Sequence, residues 1–472
     1  MNKQIVFFAA VTVASAVFGA SSSERIEVRD LVIYGGTPAA VSAAVKAKDL
    51  GLDVVMVSPD RHIGGLTVSG LGFTDSGNTS AIGGLARQFY RRIYGAYRGQ
   101  KVDVRGQETK GVCPEDETMW VFEPHVAEKV IADWLAEKKV EVVRGELLDR
   151  GPGGVEKAGG RIRGFRTLSG RTFRGRYFID ATYEGDLMAA AGVKYAVGRE
   201  SNATYGEKYN GIQVAQAKFH QFFSGVDPYV VKGDPASGLL PGVEPYNPAE
   251  KDGDGDRRVQ AYCFRMCLTD VPENRIPFAK PEGYDERDFE LLFRDFEQRA
   301  AHPEEVKGYL VGLCWINSRM PCRKTDTNNR HGFSTDFIGG NWDWAEASYA
   351  EREKIFARHL QRQKGLMWTL ANHPRIPEYV RKEVSRWGTC RDEFLDKSAP
   401  GGGWQSQLYV REARRMIGEY VMTEHNCRKH VKAPHPIAYA SYTMDSHHCR
   451  RYVGKDGFVH NEGDVQEQLM KK

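Results

Sequence analysis

Apolar positions near the start of the chain are continuous, then spaced, then continuous again. Leu31-Val32-Ile33-Tyr34 is an unbroken apolar run that ends in Gly35-Gly36, and Pro38, Ala39, Ala40, Val41, Ala43, Ala44, Val45 and Ala47 follow. A short apolar run closed by glycine predicts a strand and a tight turn, and the small residues behind it predict a helix. Asp53-Val54-Val55-Met56-Val57 repeats the strand signal. A helical pattern begins near Pro124 (His125, Val126, Ala127, Val130, Ile131, Trp134, Leu135) and leads to a strand at Val140-Glu141-Val142-Val143. Apolar and polar residues alternate through Arg161–Phe165 and Thr172–Gly175, which predicts half-exposed antiparallel strands returning through Tyr177-Phe178-Ile179-Asp180-Ala181-Thr182. Aromatics and prolines become denser from about residue 206, where helices are expected over Asp285–Arg299 and Ala345–Ala371.

The first turn carries candidate chemistry. Strand, tight turn and helix in that order place small residues where a pyrophosphate approaches the backbone at a helix N-terminus. The sequence reads G-G-T-P-A-A against a G-x-G-x-x-G/A pattern: Gly35 fills the first slot, Thr37 replaces the second glycine, and Ala40 is a permitted third. Gly36, Pro38 and Ala39 complete the turn. Ser58 stands where an acidic ribose partner is expected, and its hydroxyl is a weaker substitute. A turn that is small only for packing is the other reading. After Ser58, the stretch Pro59–Gly72 contains His62, Gly64, Gly65 and Leu66. Its glycines let the main chain pass close to a flat ligand. Asp180, Ala181 and Thr182 end a strand and should approach the same ligand, since ligands sit at the carboxyl ends of parallel strands. Asp180 as a turn cap is the alternative.

These stretches, with others, resemble a known family. VIYGGTPAAVSAA, SPDRHIGGLTVSGLG, TDSGN, IGGLARQFY, FEPHVAEKVI, FIDATYEGDLMAAAGV, KTDTNN, STDFIGGN and QLYVREARRMIGEYVMTEH are similar to FAD-dependent oxidoreductases of the glutathione-reductase-like FAD/NAD(P)-binding superfamily. The bacterial group in question is sometimes called xanthan-lyase-like. The resemblance spans roughly residues 28 to 465. It implies an α/β fold: a Rossmann-like, three-layer FAD-binding domain with a central parallel sheet and a β-meander, plus an inserted α+β cap. The corresponding boundaries are 28–205 for the first part of the FAD domain, 206–400 for the cap, and 401–472 for the return. The implied cofactor is FAD, held by Gly35–Ala40, Ser58, His62, Gly64–Leu66 and Asp180–Thr182, with His62 a conceivable covalent attachment point. In the family, Gln407–Met416 carries the chain back toward the flavin. If that stretch is helical, Arg411 and Arg415 share a face with Arg414 beside them. Fixed guanidiniums there would hold an anionic substrate or reduced flavin; an ion-pair network with Glu412 and Glu419 is the other reading. His447, grouped with Tyr442, Asp445 and His448, is a candidate acid or base. Lys324–Asn329 is expected as a polar loop, either a sugar-binding one or a self-bonded turn. Relatives continue past Asn461–Asp464 with a strand, a glycine turn and an apolar helix, so the chain is expected to be truncated relative to its family.

Composition narrows the partners. The chain has 472 residues, 41% hydrophobic and 27% charged, with a net charge of +4. That small excess implies no nucleic-acid partner, and paired arginines such as Arg414/Arg415 and Arg450/Arg451 are expected as solvated surface. Lys3, the apolar run Ile5–Phe18 and the small residues before Ala20 predict a signal peptide over residues 1–20, too short to span a bilayer. Export follows, periplasmic or secreted, with no integral span beyond that segment. Eight cysteines without a CxxC pair signal neither a redox dithiol nor a zinc ribbon. Asp252–Asp256 lacks the glycine and distal glutamate of a calcium loop, so no metal is expected. Two function classes stand. One is a flavin enzyme acting on a small, anionic or sugar-like substrate with an unknown electron acceptor. The other is a non-catalytic remnant or carbohydrate-binding or carbohydrate-processing protein.

Overall fold

The computed structural model describes residues 26–98, 112–113, 115–303, 315–396, 399–439 and 442–467; the expected signal peptide lies outside them. Strand β1 (Ile26–Tyr34) leads through helix α1 (Pro38–Asp49) to β2 (Val54–Ser58). Helices α2 (Gly84–Tyr97) and α3 (Pro124–Glu137) then precede β3 (Glu141–Arg144). The meander follows as β4 (Val155–Ala158), β5 (Arg161–Arg166) and β6 (Thr172–Asp180), and α4 (Asp186–Ala190) comes next. These six strands form one sheet in the order β3-β2-β1-β6-β5-β4. β1 is parallel to β2 and β6, and β2 is parallel to β3; the meander strands are antiparallel.

Alternation explains the unbroken apolar runs. Leu31, Ile33, Val54 and Met56 face α1 and α3 on one side, among Val41, Val45, Ile131 and Trp134. Val32, Tyr34, Val55 and Val57 face the other side, against Phe165, Phe173 and Leu187. Both faces are covered, as parallel strands require. The chain winds outward from β1 to β2 and β3, then returns to the opposite edge of β1 as β6. The carboxyl end of β1 is therefore a topological switch point.

A second, antiparallel sheet is built from β7 (Met266–Thr269), β8 (Arg275–Ile276), β9 (Trp315–Met320), β10 (Lys324–Asn329) and β11 (Gly388–Cys390), in the order β8-β11-β7-β10-β9. It shares a core with α5 (Glu290–Ala301) and α6 (Tyr349–Asn372), including Phe264, Phe293, Leu366 and Leu370. Both helices fall where the pattern placed them. Ser348 starts α6 with a capping box closed by Glu351.

Three expectations need correction. Lys324–Asn329 is a largely buried strand rather than a loop. Gln407–Met416 is not a helix: Arg415–Met416 is a short strand paired with Tyr195–Ala196. Arg450 and Arg451 are buried rather than solvated. Among the described residues, no strand from 401 onward joins the six-stranded sheet; Trp404, Leu408, Val410 and Ala413 enter the core of the second unit.

Candidate active site

Gly35 sits at the switch point with φ 129°. A β-carbon there would run into the Ala181 carbonyl just after β6, so glycine is required by both torsion and space. Thr37 ties the two strand ends together. Its hydroxyl donates to Ala181 O at 2.7 Å and caps α1 by accepting the Ala40 N–H at 3.4 Å. Gly36 and Thr37 are buried, and among the described residues their N–H groups have no partner. Two orphaned donors at the start of a twelve-residue helix suit a phosphate oxygen.

The loop after β2 lies against this turn. Gly64 N–H donates to Gly36 O at 2.7 Å, and Tyr183 OH accepts the Leu66 N–H at 2.9 Å beside Gly65. Ser58 is fully buried, and its hydroxyl accepts the Asp60 N–H at 3.0 Å. A β-carbon on Gly36 would lie 2.5 Å from that oxygen, so Ser58 shapes the turn. Asp180 is occupied locally: it accepts from Thr182 N–H (3.0 Å), the Thr182 hydroxyl (2.7 Å) and Met188 N–H (2.8 Å). His62 is bonded to Glu128 at 2.7 Å; that bond, opposed by burial, raises its pKa.

Beyond the turn, at the carboxyl ends of β2, β3 and β6, lies a cavity of about 330 Å³ lined by Asp60, Leu147, Thr182, Glu184, Tyr349 and Arg352, among others. Burial pushes the Glu184 carboxyl up to about 7, and Trp344 Nε1 donates to it at 3.1 Å. Asp186, also on the wall, is ringed by guanidiniums. Arg352 reaches it through two nitrogens at 2.6 and 2.8 Å, Arg414 at 2.8 Å and Arg150 at 3.3 Å. Burial opposes its ionisation, but Arg352 and Arg414 outweigh burial and hold its carboxyl below the usual range.

The sequence-nominated arginines are dispersed. Arg414 joins Asp186 and Glu346 (2.9 Å); Arg415 joins Glu200 (2.8 Å) and Glu412 (3.4 Å). Arg411 goes elsewhere: Nη2 donates to Asp336 Oδ1 at 2.9 Å, and Nε donates to Ala261 O at 2.8 Å. The other Asp336 oxygen meets His447 Nδ1 at 2.8 Å. The structure thus unites Arg411 and His447 on one buried carboxylate. Burial would raise the Asp336 carboxyl; Arg411 and His447 overcome it and hold it far below the carboxylate range. His448 is buried, and burial lowers it to about 3, so it is neutral. Asp336 lies within STDFIGGN, so a signal for it was present in the sequence; Asp186 likewise lies in a matched stretch, whereas Arg352 had none.

Glu123, His125 and Glu393 also converge, but Lys324 Nζ stands 2.8 Å from Glu123 and 2.6 Å from Glu393. The ammonium takes the place a metal ion would need.

A parallel-sheet switch point with orphaned N–H groups, opening on a cavity that continues along the strand ends, defines a Rossmann-type dinucleotide-binding protein. The model of the family described as FAD dependent oxidoreductase matches residues 30–468, and the chain belongs to that family. Its cofactor is FAD, which the turn and cavity fit. No curated protein matches the chain. Among solved structures, L-proline dehydrogenase from P. horikoshii is 18% identical, with 38% of this chain and 59% of that one covered and a TM-score of 0.26. An L-amino acid deaminase from Proteus vulgaris is 14% identical, covering 38% and 61%, TM-score 0.26. The myxobacterial chondrochloren halogenase CndH is 16% identical, covering 37% and 41%, TM-score 0.27. The chain thus matches each over less than two thirds of that protein's length.

Proposed function

We propose that this FAD-dependent oxidoreductase removes a hydrogen pair from a small-molecule substrate bearing a C–H beside an O–H or N–H, with His447 as the base. The observation that carries this reading is the meeting of Arg411 and His447 on Asp336. Asp336 fixes the imidazole through Nδ1, which leaves Nε2 to take the substrate O–H or N–H proton. Arg411 keeps Asp336 ionised, so the imidazolium that forms is stabilised. Gly35–Ala40 would hold the FAD pyrophosphate, and the cavity lined by Thr182 and Glu184 would take another part of the cofactor. FAD, when bound, supplies the acceptor for the hydride equivalent. Lys3, the Ile5–Phe18 run and Ala20 support export, periplasmic or secreted; N-terminal sequencing of the fractionated protein tests that, and an intact Met1 on cytoplasmic protein contradicts it.

The test is anaerobic bleaching of the bound flavin by a panel of hydroxy acids, amino acids and sugars. A substrate should bleach the parent, and His447→Asn should slow that bleaching by about 10²-fold or more. Equal bleaching by His447→Asn contradicts the assignment.

A further inference from the structure

Buried arginines in this chain are generally matched by carboxylates: Arg199 by Asp256 and Glu462, Arg265 by Asp326, Arg294 by Asp227. Two are not. Arg362, half-buried on α6, has neither a hydrogen bond nor an ion pair among the described residues. Its guanidinium carbon lies 4.7 Å from the ring centres of both Phe333 and Phe337. Arg451 is 4% exposed, and among the described residues it donates to two neutral oxygens, Asn461 Oδ1 and Gly332 O, each at 3.0 Å. It lies 5.2 Å from the same Phe333 ring and 5.0 Å from Phe222. The two cations therefore share one aromatic ring. Of the carboxylates whose charge reaches Arg362, Asp336 is committed to Arg411 and His447, and Asp288 is exposed and beyond ion-pair distance.

Unmatched buried charge is costly, and two like charges compound the cost. Burial pulls Arg362 down to about 10, and burial together with Arg362 pulls Arg451 down to about 9. An oxyanion bound by both would offset that cost. The Asp336 charge reaches Arg362, which sets that member of the pair near the His447 dyad. We propose that Arg362 and Arg451 hold an oxyanion of the substrate, a carboxylate or phosphate, while His447 removes its proton. This rests on the reading of His447 as base.

The probes are inorganic phosphate and, separately, acetate. Each is added to the FAD-loaded full chain with chloride at matched ionic strength as reference, and melting is followed. The parent should be stabilised by at least one of the two oxyanions, and which one acts distinguishes phosphate from carboxylate. Arg362→Met should weaken the apparent affinity at least about tenfold and melt no lower without anion. Arg362→Lys, which keeps charge and loses the fork, should fall between. Lys354→Met, an exposed change on the same helix, should respond as the parent does, and so should His447→Asn, so that failure of the base leaves the anion site intact. No response of the parent beyond chloride, or an Arg362→Met response equal to that of Lys354→Met, overturns the proposal.

Discussion

Two groups of arginines sit in this molecule under opposite conditions. Around Asp186, three guanidiniums converge on one carboxylate, which draws α6 to the nucleotide sheet through Arg352 and ties in the 401–416 stretch through Arg414. Across Phe333, two guanidiniums share a ring and no carboxylate. The residue type is the same, but only the second group keeps charge to offer a ligand. Arginine count near a cofactor is therefore a poor guide to anion binding; what matters is whether the charge is already matched. Arg414 and Arg415, expected from the sequence at the substrate or flavin, are matched by carboxylates, whereas Arg362 is not.

The sharpest way to break this contrast is Asp186→Asn. It would leave three partly buried cations around a neutral amide and should cost about 3–5 kcal/mol in a denaturant melt. Arg362→Met, by contrast, should cost nothing. Equal losses in the two would erase the distinction between matched and free charge.

Asp336→Asn comes next. Its ionised form is favoured in the fold, so its stabilisation is complete above the ordinary carboxylate pKa near about 4 and is lost as pH falls through the lower folded value. The variant should melt below the parent at neutral pH, and the gap should close in acid. A gap that persists there would mean that Asp336 contributes by packing alone.

Glu184 has the opposite sign. Its folded pKa is raised to about 7, so stability is greatest below the ordinary glutamate value of about 4.3 and falls as pH rises through 7. Glu184→Gln should flatten that decline in melting temperature, and an unchanged slope would assign it to other groups. The smallest effect should be Arg415→Ala. Its side chain is 36% exposed, so the ion pair with Glu200 is worth at most about 1 kcal/mol. The flavin potential should stay put, and a downward shift would assign Arg415 to the flavin.

The nucleotide edge was legible because its parts are contiguous: strand, turn and helix occupy Leu31 to Ala47, and the Gly64–Leu66 loop follows at once. The dyad was only half legible. Asp336 stands 75 residues from Arg411 and 111 from His447, and only the fold joins them. The helix expected at Gln407–Met416 failed because tertiary bonds prevailed over local pattern. Tyr409 N–H donates to Cys263 O at 2.9 Å, and Leu408, Val410 and Ala413 are drawn into a core that local spacing does not reveal. Lys324–Asn329 looked like a loop because it is polar, yet its groups are paired in place: Lys324 with Glu393, Asp326 with Arg265, and Thr325 with Thr327.

The central claim is that FAD sits on the Gly35–Ala40 turn. Ala39 is exposed in the first turn of α1, so Ala39→Asp adds a carboxylate that the helix dipole favours by about 0.3–1 kcal/mol but that repels a pyrophosphate. Flavin absorbance per purified chain, measured beside the melting temperature, separates the two effects. The account predicts a parent that carries FAD and a variant that retains at least about tenfold less on dialysis while its flavin-free form melts no lower than the flavin-free parent. Equal FAD retention in a folded Ala39→Asp protein would contradict it.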